Sequence, residues 1–401
     1  MSKIQIINTG WLIDGSAKPI RTKVQVRILN GSIESIREIQ PIHSGPTPDN
    51  SDAETLDLNN ATILPALVDS HVHLTMSGTM DQAERLRQLD TMGFDRAAGV
   101  IQKHLDQHLA AGVLAVRDGG DKGAHVLRFK RKHLRSHAMP VQIKGAGRAW
   151  HQPGRYGQLI GRALDVTTSL GQAIEQEKDP VDHVKIVNSG LNSLTEFGKQ
   201  TLPQFDGDEL KAGVLAADQR RLKIMVHANG RIPVQSAVAA GCHSIEHGFF
   251  MGTDNLSFMA DKAAVWVPTA VTMQAYGRYL KQIGKKNDIA LKNLDHQIEQ
   301  LQSARQVEVP IALGTDAGSP AVDHGIAVVD EMKIFIDAGF SIEETVRCAT
   351  FNGAQLLGIK DLGLLVPGMP ATFIAVKGDP AGLPDSLRNL LGVWVEGELI
   401  S

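Results

Sequence analysis

The sequence has few cysteines and aromatic residues, and positive charge is not in excess. Two cysteines, Cys242 and Cys348, among 401 residues cannot form a disulfide framework, so we expect reduced, buried thiols in a cytoplasmic protein. A formal net charge of -3 does not provide the basic surface that nucleic-acid binding requires. No stretch approaches the ~20 consecutive apolar residues of a transmembrane helix, and we expect no signal peptide. We therefore expect neither a nucleic-acid nor a membrane partner.

The fifteen histidines are the compositional feature that indicates chemistry, because several of them end apolar runs. The apolar run at residues 63–74 contains His71 and His73 near its end. Successive side chains of a strand alternate between its two faces, so these two imidazoles point the same way. Two imidazoles at the end of one strand can bind a single metal ion. The run therefore predicts a buried strand that carries part of a metal site.

Strands and helices alternate through the middle of the chain. After the first histidine strand, further apolar segments occur at 113–118, 140–145, 184–187, 222–227, 243–247, 263–269 and 310–316. Helical patterns separate many of them, at 96–111, 123–137, 206–221 and 232–240. Eight strands with intervening helices over roughly 250 residues predict an α/β fold, the (β/α)8 TIM barrel.

Short strands are expected at both ends of the chain. The first group covers 3–7, 24–29, 32–36 and 55–58, and the last covers 366–368, 371–376 and 391–395. Asn30-Gly31 predicts a two-residue hairpin turn, and residues 41–54 have the composition of a loop. We interpret segments 1–60 and 366–401 as one small β-sandwich domain, with the barrel formed by residues 61–365 inserted between them.

In a TIM barrel, functional groups lie at the carboxyl ends of the strands. Five of the eight predicted strands place a ligand-type residue there: His71, His73, Lys185, His227, His247 and Asp316. Unrelated structural residues would not be expected to collect at one rim, so the set predicts a metal centre. His183, two residues before Lys185, is interpreted as a core residue one layer deeper.

These segments resemble the amidohydrolase superfamily of metal-dependent hydrolases. The resemblance is carried by residues 65–73, Val184-Lys185-Ile186, Val226-His227-Ala228, Ile245-Glu246-His247-Gly248 and residues 313–318. The flanking strands resemble that family's split β-sandwich, so the resemblance covers nearly the whole chain. The combination of an HxH pair, two later histidines and a GTD aspartate is specific, whereas each motif alone is weak.

The resemblance implies two divalent metal ions, with zinc favoured and manganese, iron or cobalt as alternatives. A lysine ammonium is a poor ligand because its lone pair is protonated near neutral pH. Superfamily members with a lysine at this position carry it as a carbamate that bridges two metals. The implied ligands are His71, His73 and Asp316 for the buried metal, His227 and His247 for the outer metal, and carbamylated Lys185 as the bridge.

Hydrolysis of a C–N amide bond in a small molecule follows as the expected reaction. Two cations would lower the pKa of a bridging water, and the outer cation would polarise the scissile carbonyl. Asp316 would accept the proton from that metal-activated hydroxide and pass it to the leaving amine. His151 corresponds to a loop histidine of the dipeptidase-like branch and would stabilise the oxyanion. The substrate would be dipeptide-like, an N-acyl amino acid or a cyclic amide.

The branch of Xaa-Pro dipeptidases and imidazolonepropionase-related hydrolases gives the best local match, through residues 116–120, 245–248 and 315–318. The chain departs from this branch just after His227, where it has Asn229 and the dipeptidases tend to have a tyrosine nearby. Its specificity for peptides therefore stays open. Arginine suits bidentate binding of a carboxylate. We expect the loops after strands three and seven to supply the substrate contacts: Arg148, Arg155, Tyr156, Tyr276 and Arg278.

Three alternatives stay open. A lactone or urea hydrolase would use the same residues. A mononuclear deaminase of the superfamily has no lysine ligand on strand four and usually has a glutamate near the strand-five histidine, where this chain has Asn229, Gly230 and Arg231. A non-catalytic relative would have lost ligands, but all six positions are filled. We also expect a homo-oligomer that acts on a small-molecule substrate.

Overall fold

The computed structural model describes residues 3–39, 53–133 and 139–401. Most of the predicted loop at 41–54 and the predicted helical end at 134–137 lie outside these ranges. Within them, no helix combines the length and the apolar character that crossing a membrane requires.

The described elements are as follows. The strands are β1 Ile4–Leu12, β2 Arg21–Leu29, β3 Ser32–Glu38, β4 Glu54–Pro65, β5 Leu67–Val72, β6 Val113–Asp118, β7 Gln142–Gly145, β8 Ala149–His151, β9 Gly161–Ala163, β10 His183–Val187, β11 Lys223–Ala228, β12 Ser244–His247, β13 Val265–Val267, β14 Phe373–Lys377, β15 Leu390–Val395 and β16 Glu398–Leu399. The α-helices are α1 Gln82–Leu86, α2 Phe94–Ala110, α3 His125–His133, α4 Leu170–Glu175, α5 Gly207–Gln219, α6 Arg231–Ala240, α7 Thr253–Lys262, α8 Val271–Gln282, α9 Asp288–Gln306, α10 Ala327–Asp337, α11 Ile342–Ala349 and α12 Phe351–Leu357. Single turns of other helix types cover Arg87–Thr91, Pro380–Gly382 and Asp385–Arg388.

Strands from both ends of the chain form one mixed sheet, in the order β16-β15-β14-β4-β1-β2-β3. The predicted hairpin is observed: Asn30 and Gly31 have φ of 49° and 81°, as a type I′ turn requires, and Leu29 pairs with Ser32. β4 runs across the predicted domain boundary after residue 60 and pairs with both β1 and β14. The division into domains at residues 60 and 365 therefore stays a prediction.

The middle of the chain forms two parallel sheets, β5-β6-β7 and β13-β12-β11-β10-β8-β9. All residues of β5 and β6 are buried, as expected for parallel strands covered on both faces. Residues 310–317 link the two sheets, because the Trp266 amide donates to the Pro310 carbonyl at 2.8 Å and the Asp316 amide donates to the His71 carbonyl at 2.7 Å. The α/β fold with parallel sheets is confirmed, and closure into a barrel stays a prediction.

The structure differs from the predicted strands in several places. The run at 63–74 divides at Ala66, because Pro65 ends β4 in the mixed sheet and Leu67 begins β5 in a parallel sheet. Proline has no amide donor and is tolerated at a strand end. Residues 310–316 form one isolated bridge, from Ile311 to Trp266, instead of a regular strand, and Ala317 just beyond them bridges to Val72. One cause is Asp316, whose φ of 55° lies outside the β region.

Two segments were predicted with the wrong local structure. The stretch after the third strand, expected to be a loop, contains the short strands β8 and β9, and β8 pairs with β10 through Trp150 and Ile186. Residues 366–368, expected to be a strand, form a turn in which the Gly368 amide donates to the Ile33 carbonyl at 2.8 Å. Both errors arise because very short apolar runs do not distinguish a strand from a turn.

Candidate metal centre

The six predicted ligands converge at the carboxyl ends of the parallel strands. All six line one cavity of about 330 Å³: His71, His73, Lys185, His227, His247 and Asp316. His71 Nε2 and His73 Nε2 lie 3.5 Å and 3.3 Å from Asp316 Oδ1. The sequence-predicted set is therefore brought together in space, although its role as a metal site stays a prediction.

Two ring contacts extend this group across the cavity. The ring centroids of His71 and His247 lie 5.0 Å apart, and those of His227 and His247 lie 4.6 Å apart. His71, His73 and Asp316 offer one ligand atom each, and these atoms lie within 4.8 Å of one another. The imidazoles therefore form a continuous group rather than separate surface residues.

The local backbone holds several of the candidate ligands in place. His247 and Asp316 have φ of 67° and 55°, in the left-handed region that residues with a Cβ seldom adopt. Each such residue stores strain of ~1–3 kcal/mol, which the surrounding fold must offset. Gly119 packs against His73 so closely that an added Cβ would lie 2.7 Å from the ring Cε1. Any residue with a Cβ at position 119 would therefore collide with the His73 ring.

One nitrogen of each histidine ring is engaged by the protein. The contacts are His71 Nδ1 to Glu246 Oε2 at 2.8 Å, His73 Nδ1 to the Gly120 carbonyl at 3.0 Å, His227 Nε2 to the Gly190 carbonyl at 3.1 Å, and His247 Nδ1 to the Thr269 hydroxyl at 2.7 Å. Such contacts fix the orientation of a ring and leave its second nitrogen available as a ligand. The pattern is the one expected of metal-binding histidines.

Burial also fixes the protonation of these rings. It holds the pKa of His71 and of His247 well below the ordinary value, and the nearby Lys185 ammonium or neighbouring rings add to the effect. Burial lowers the pKa of His73 to about 3 and that of His227 to about 4. All four rings are therefore neutral near pH 7, and the neutral imidazole is the form that binds a metal.

Three buried polar atoms of the site have no hydrogen-bond partner among the described residues: His71 Nε2, Lys185 Nζ and Asp316 Oδ1. Buried polar atoms are normally paired, so three such atoms in one place call for an explanation. Imidazole nitrogens and carboxylate oxygens are ligands that zinc and similar cations accept. The residues present therefore fit a divalent metal ion.

Glu246 supports the site from behind His71. Besides accepting from His71, it accepts from Arg117 Nη2 at 2.8 Å and from the Ser244 hydroxyl at 2.5 Å. Arg117 also donates through Nε to the Ser70 carbonyl at 2.7 Å. The sequence analysis gave Glu246 no role, although two polar residues, Ser244 and Glu246, at strand spacing in a buried segment were a usable signal.

Asp69 supports the segment that carries Asp316. Its carboxylate accepts from the Thr315 hydroxyl at 2.5 Å and from the Thr315 amide at 3.0 Å, so it ties β5 to the 310–317 segment. The Ser319 hydroxyl donates to Asp316 Oδ2 at 2.7 Å. Burial raises the pKa of Asp316 to about 6. The arrangement leaves Asp316 Oδ1 directed at the histidines.

The family model for the amidohydrolase family matches residues 62–400. The chain belongs to the amidohydrolase family. The resemblance noted in the sequence is thereby confirmed, and a hydrolase that acts on small molecules is consistent with it.

Relatives of this amidohydrolase are distant. An uncharacterized protein of Mycobacterium tuberculosis (strain H37Rv) is 24% identical over 356 residues, which is 86% of this chain and 84% of that protein. The imidazolonepropionase of Nocardia farcinica is 26% identical over 367 residues, which is 86% of this chain and 85% of that protein. The crystal structure of a Xaa-Pro dipeptidase with bound methionine superposes with a TM-score of 0.82 at 25% identity, and all of both chains is covered.

The predicted substrate contacts are only partly brought to the cavity of the amidohydrolase. Tyr156 and Tyr276 line it, and the Tyr156 ring centroid lies 5.3 Å from that of His227. Arg148 instead pairs with Asp179 at 3.0 Å, beside a different cavity. The expectation that Arg148 contacts the substrate therefore finds no support, because its guanidinium is engaged elsewhere.

Three further residues also lie elsewhere. Arg155 donates to the Leu202 carbonyl at 2.9 Å, and Arg278 pairs with Asp330. His151 is buried on β8, where its Nδ1 lies 2.9 Å from the Gln152 carbonyl, and it does not line the cavity. The strand geometry of β8, which the sequence analysis missed, accounts for this difference. His183 is buried in β10, which agrees with its interpretation as a core residue.

Arg85 is a charged cavity residue that the sequence analysis did not identify. It lies in the short helix α1 and lines the cavity together with Met76 and Leu89. Nothing in the local sequence distinguishes it from the exposed arginine two residues later. Its position depends on how the segment after β5 folds back over the strand ends.

Proposed function

We propose that this amidohydrolase is a binuclear metal-dependent hydrolase that cleaves a C–N amide bond of a small molecule. The observation that carries the proposal is the convergence of six ligand-type side chains on one cavity, with three buried polar atoms that lack partners in the described ranges. The Nocardia and Xaa-Pro dipeptidase relatives bear names of hydrolases acting on C–N bonds, which supports the same class.

The proposed ligand assignment is the one that the family resemblance implies, and the spacing of three of the ligand atoms supports it. His71, His73 and Asp316 would hold the buried cation, zinc being favoured, because their ligand atoms are already close together. His227 and His247 would hold the outer cation. When bound, the cations would supply Lewis-acid activation of the scissile carbonyl and a water of lowered pKa.

Lys185 is proposed to bridge the two cations as a carbamate. Its Nζ is buried and has no hydrogen-bond partner among the described residues, and burial lowers the pKa of its ammonium to about 8, although Glu246 and Asp316 oppose the shift. A lowered pKa leaves more of the neutral amine, which is the form that attacks CO₂. The new N–C bond forms as the amine loses a proton, and the product is an anion with two oxygen ligands. The cationic side chain thereby becomes a group suited to two metals.

Asp316 is proposed as the proton carrier. Its Oδ2 is held by Ser319 and its Oδ1 faces the histidines. A carboxyl with a pKa near 6 is closer to neutrality than an ordinary aspartate, which suits a group that must both accept and release a proton. It would take a proton from the attacking water and deliver it to the leaving amine. The oxyanion contact expected from His151 is not included.

The surrounding architecture is part of the proposal. We infer that the two parallel sheets and residues 310–317 close into the (β/α)8 barrel, and that segments 1–60 and 366–401 form a separate small β-domain. A cytoplasmic location and a homo-oligomer remain predictions. Size-exclusion chromatography with light scattering would test the oligomer directly.

A substrate screen tests the reaction class. Zinc-loaded protein would be assayed on Xaa-Pro dipeptides, N-acyl amino acids, hydantoins, lactones and aryl ureas, with Asp316→Asn as the matched inactive variant. We expect turnover of at least one amide and loss of that turnover in the variant. Turnover of lactones or ureas alone would replace the proposal with the alternative hydrolase classes, and release of ammonia from an aminated ring would favour the deaminase.

A further inference from the structure

Arg85 supplies a cation to the cavity that none of the proposed chemistry uses. Apart from the predicted ligands Lys185 and Asp316, it is the one acidic or basic side chain, histidines aside, among the described residues that line the cavity. Its Nη1 donates to the Gly318 carbonyl at 3.1 Å and lies 3.5 Å from the Thr79 carbonyl. These contacts hold the guanidinium on the side of the cavity that carries Asp316.

The rest of the guanidinium is free to bind a ligand. In the described part of the chain, no carboxylate forms an ion pair with Arg85, and its Nε and Nη2 have no hydrogen-bond acceptor. The side chain is largely buried, and burial lowers its pKa below the ordinary arginine value. The Asp316 carboxylate attracts this cation but leaves its Nε and Nη2 without an acceptor, so an anionic ligand group would add charge-assisted hydrogen bonds there.

The position of Arg85 indicates which half of a substrate carries the anion. Asp316 is proposed to protonate the leaving amine, so the amine half must lie beside Asp316. Arg85 donates to the carbonyl of Gly318, which lies two residues after Asp316 in the chain. Pro320 lies on the same side of the cavity. A carboxylate on the amine half would therefore come within reach of the guanidinium.

The remaining wall indicates what the acyl half contains. The segments after β10 to β13 contribute mostly apolar side chains to the cavity: Leu191, Leu194, Phe249, Met273 and Tyr276. The exposed fractions of Leu191 and Leu194 are 60% and 38%, so the apolar surface continues to the rim. Such a surface gains free energy by covering an apolar ligand group.

We propose that Arg85 is a specificity-determining residue that binds the carboxylate of the amine half, and that the substrates are N-acyl amino acids with a bulky apolar acyl group. The inference rests on the proposed amide hydrolysis for the orientation of the substrate. It replaces Arg148 and Arg155 as the source of the carboxylate contact. The Nε and Nη2 groups of Arg85, which lie on the same edge of the guanidinium, are the pair of donors that bidentate binding of a carboxylate uses.

Binding and turnover can be measured separately. The probe for binding is the ketomethylene isostere of N-(4-phenylbutyryl)-phenylalanine, in which CH₂ replaces the amide nitrogen, and it is titrated calorimetrically into the zinc-loaded protein. Its methyl ester is the neutral comparator. Turnover uses the parent amide and its analogue without the carboxylate. The variants are Arg85→Met, Arg148→Met, and Arg87→Met as a matched control, since Arg87 is half-exposed and pairs with Glu84.

Arg85→Met should weaken binding of the carboxylate isostere by ~10- to 100-fold and that of the methyl ester by less than ~3-fold. Arg87→Met and Arg148→Met should leave both affinities unchanged. An equal loss for both ligands in Arg85→Met, or a selective loss in Arg148→Met, would overturn the inference. Arg85-dependent binding without hydrolysis of any amide would instead contradict the proposed function and leave the carboxylate site standing.

Discussion

Replacing Glu246 by Gln tests how the protein holds the proposed metal centre. The substitution keeps the size of the side chain and removes its charge. Glu246 and Arg117 are almost fully buried, and their 2.8 Å ion pair is backed by the 2.8 Å contact from Glu246 to His71 Nδ1. Arg117 would keep its hydrogen bonds to Ser70 and Ser244 but would lose its charged partner.

The magnitude follows from these contacts. Removing one partner of a buried ion pair costs ~3–5 kcal/mol. The glutamine oxygen can still accept one hydrogen bond, so we expect Glu246→Gln to lower the free energy of unfolding by ~2–3 kcal/mol. Losing the group that orients a ligand histidine weakens metal binding by ~10- to 100-fold. Both effects should appear together, because the same carboxylate contacts Arg117 and His71.

Urea denaturation of the metal-free protein and zinc competition with a chelator measure the two effects independently. Glu299→Gln is the control, since Glu299 is exposed and should change stability by less than ~0.5 kcal/mol. A Glu246→Gln variant with wild-type stability and wild-type zinc affinity would refute the reasoning. Loss of stability without loss of zinc affinity would show that Glu246 supports only the fold.

The other predictions concern residues of the cavity. Lys185→Ala should lose at least one metal equivalent and most activity. Bicarbonate should aid reconstitution of the wild-type apoprotein but not of the variant. Unchanged metal content in Lys185→Ala would contradict the proposed carbamate bridge. Asp316→Asn should lower kcat by ~100-fold or more with the circular dichroism spectrum unchanged, and a wild-type kcat would mean that another group carries the proton. Gly119→Ala should weaken zinc binding because the new methyl collides with His73, whereas Gly99→Ala, in open space on α2, should raise the free energy of unfolding by ~0.5–1 kcal/mol. Equal zinc affinities of the Gly119→Ala and Gly99→Ala variants would count against the steric argument.

The convergence of the six candidate ligand residues could be predicted from the sequence because their signals are local. His71 and His73 follow an apolar run with strand spacing, and Lys185, His227 and His247 lie near or at the ends of similar runs. The carboxyl ends of parallel strands meet at one edge, so local positions were enough to bring these side chains together. The same reasoning gave most strand and helix bounds to within a few residues.

The residues that shape the substrate cavity could not be predicted in this way. Arg85 reaches the cavity because the segment after β5 folds over the strand ends, which no local pattern encodes. Arg148 was favoured because it is an arginine in the segment after a predicted strand. The formation of β8 beside β10 instead directs this segment elsewhere, and Asp179 pairs with the guanidinium. Loop geometry depends on tertiary contacts, so specificity residues are harder to infer than metal ligands.

Metal analysis of the purified wild-type protein tests the central claim most directly. The protein would be produced with zinc and bicarbonate, freed of loosely bound metal, and measured by inductively coupled plasma mass spectrometry against its concentration. A centre built from four histidines, an aspartate and a carbamylated lysine predicts about two equivalents of divalent metal per chain. About one equivalent would contradict the binuclear centre and favour a mononuclear deaminase, and none would contradict a metal-dependent hydrolase altogether.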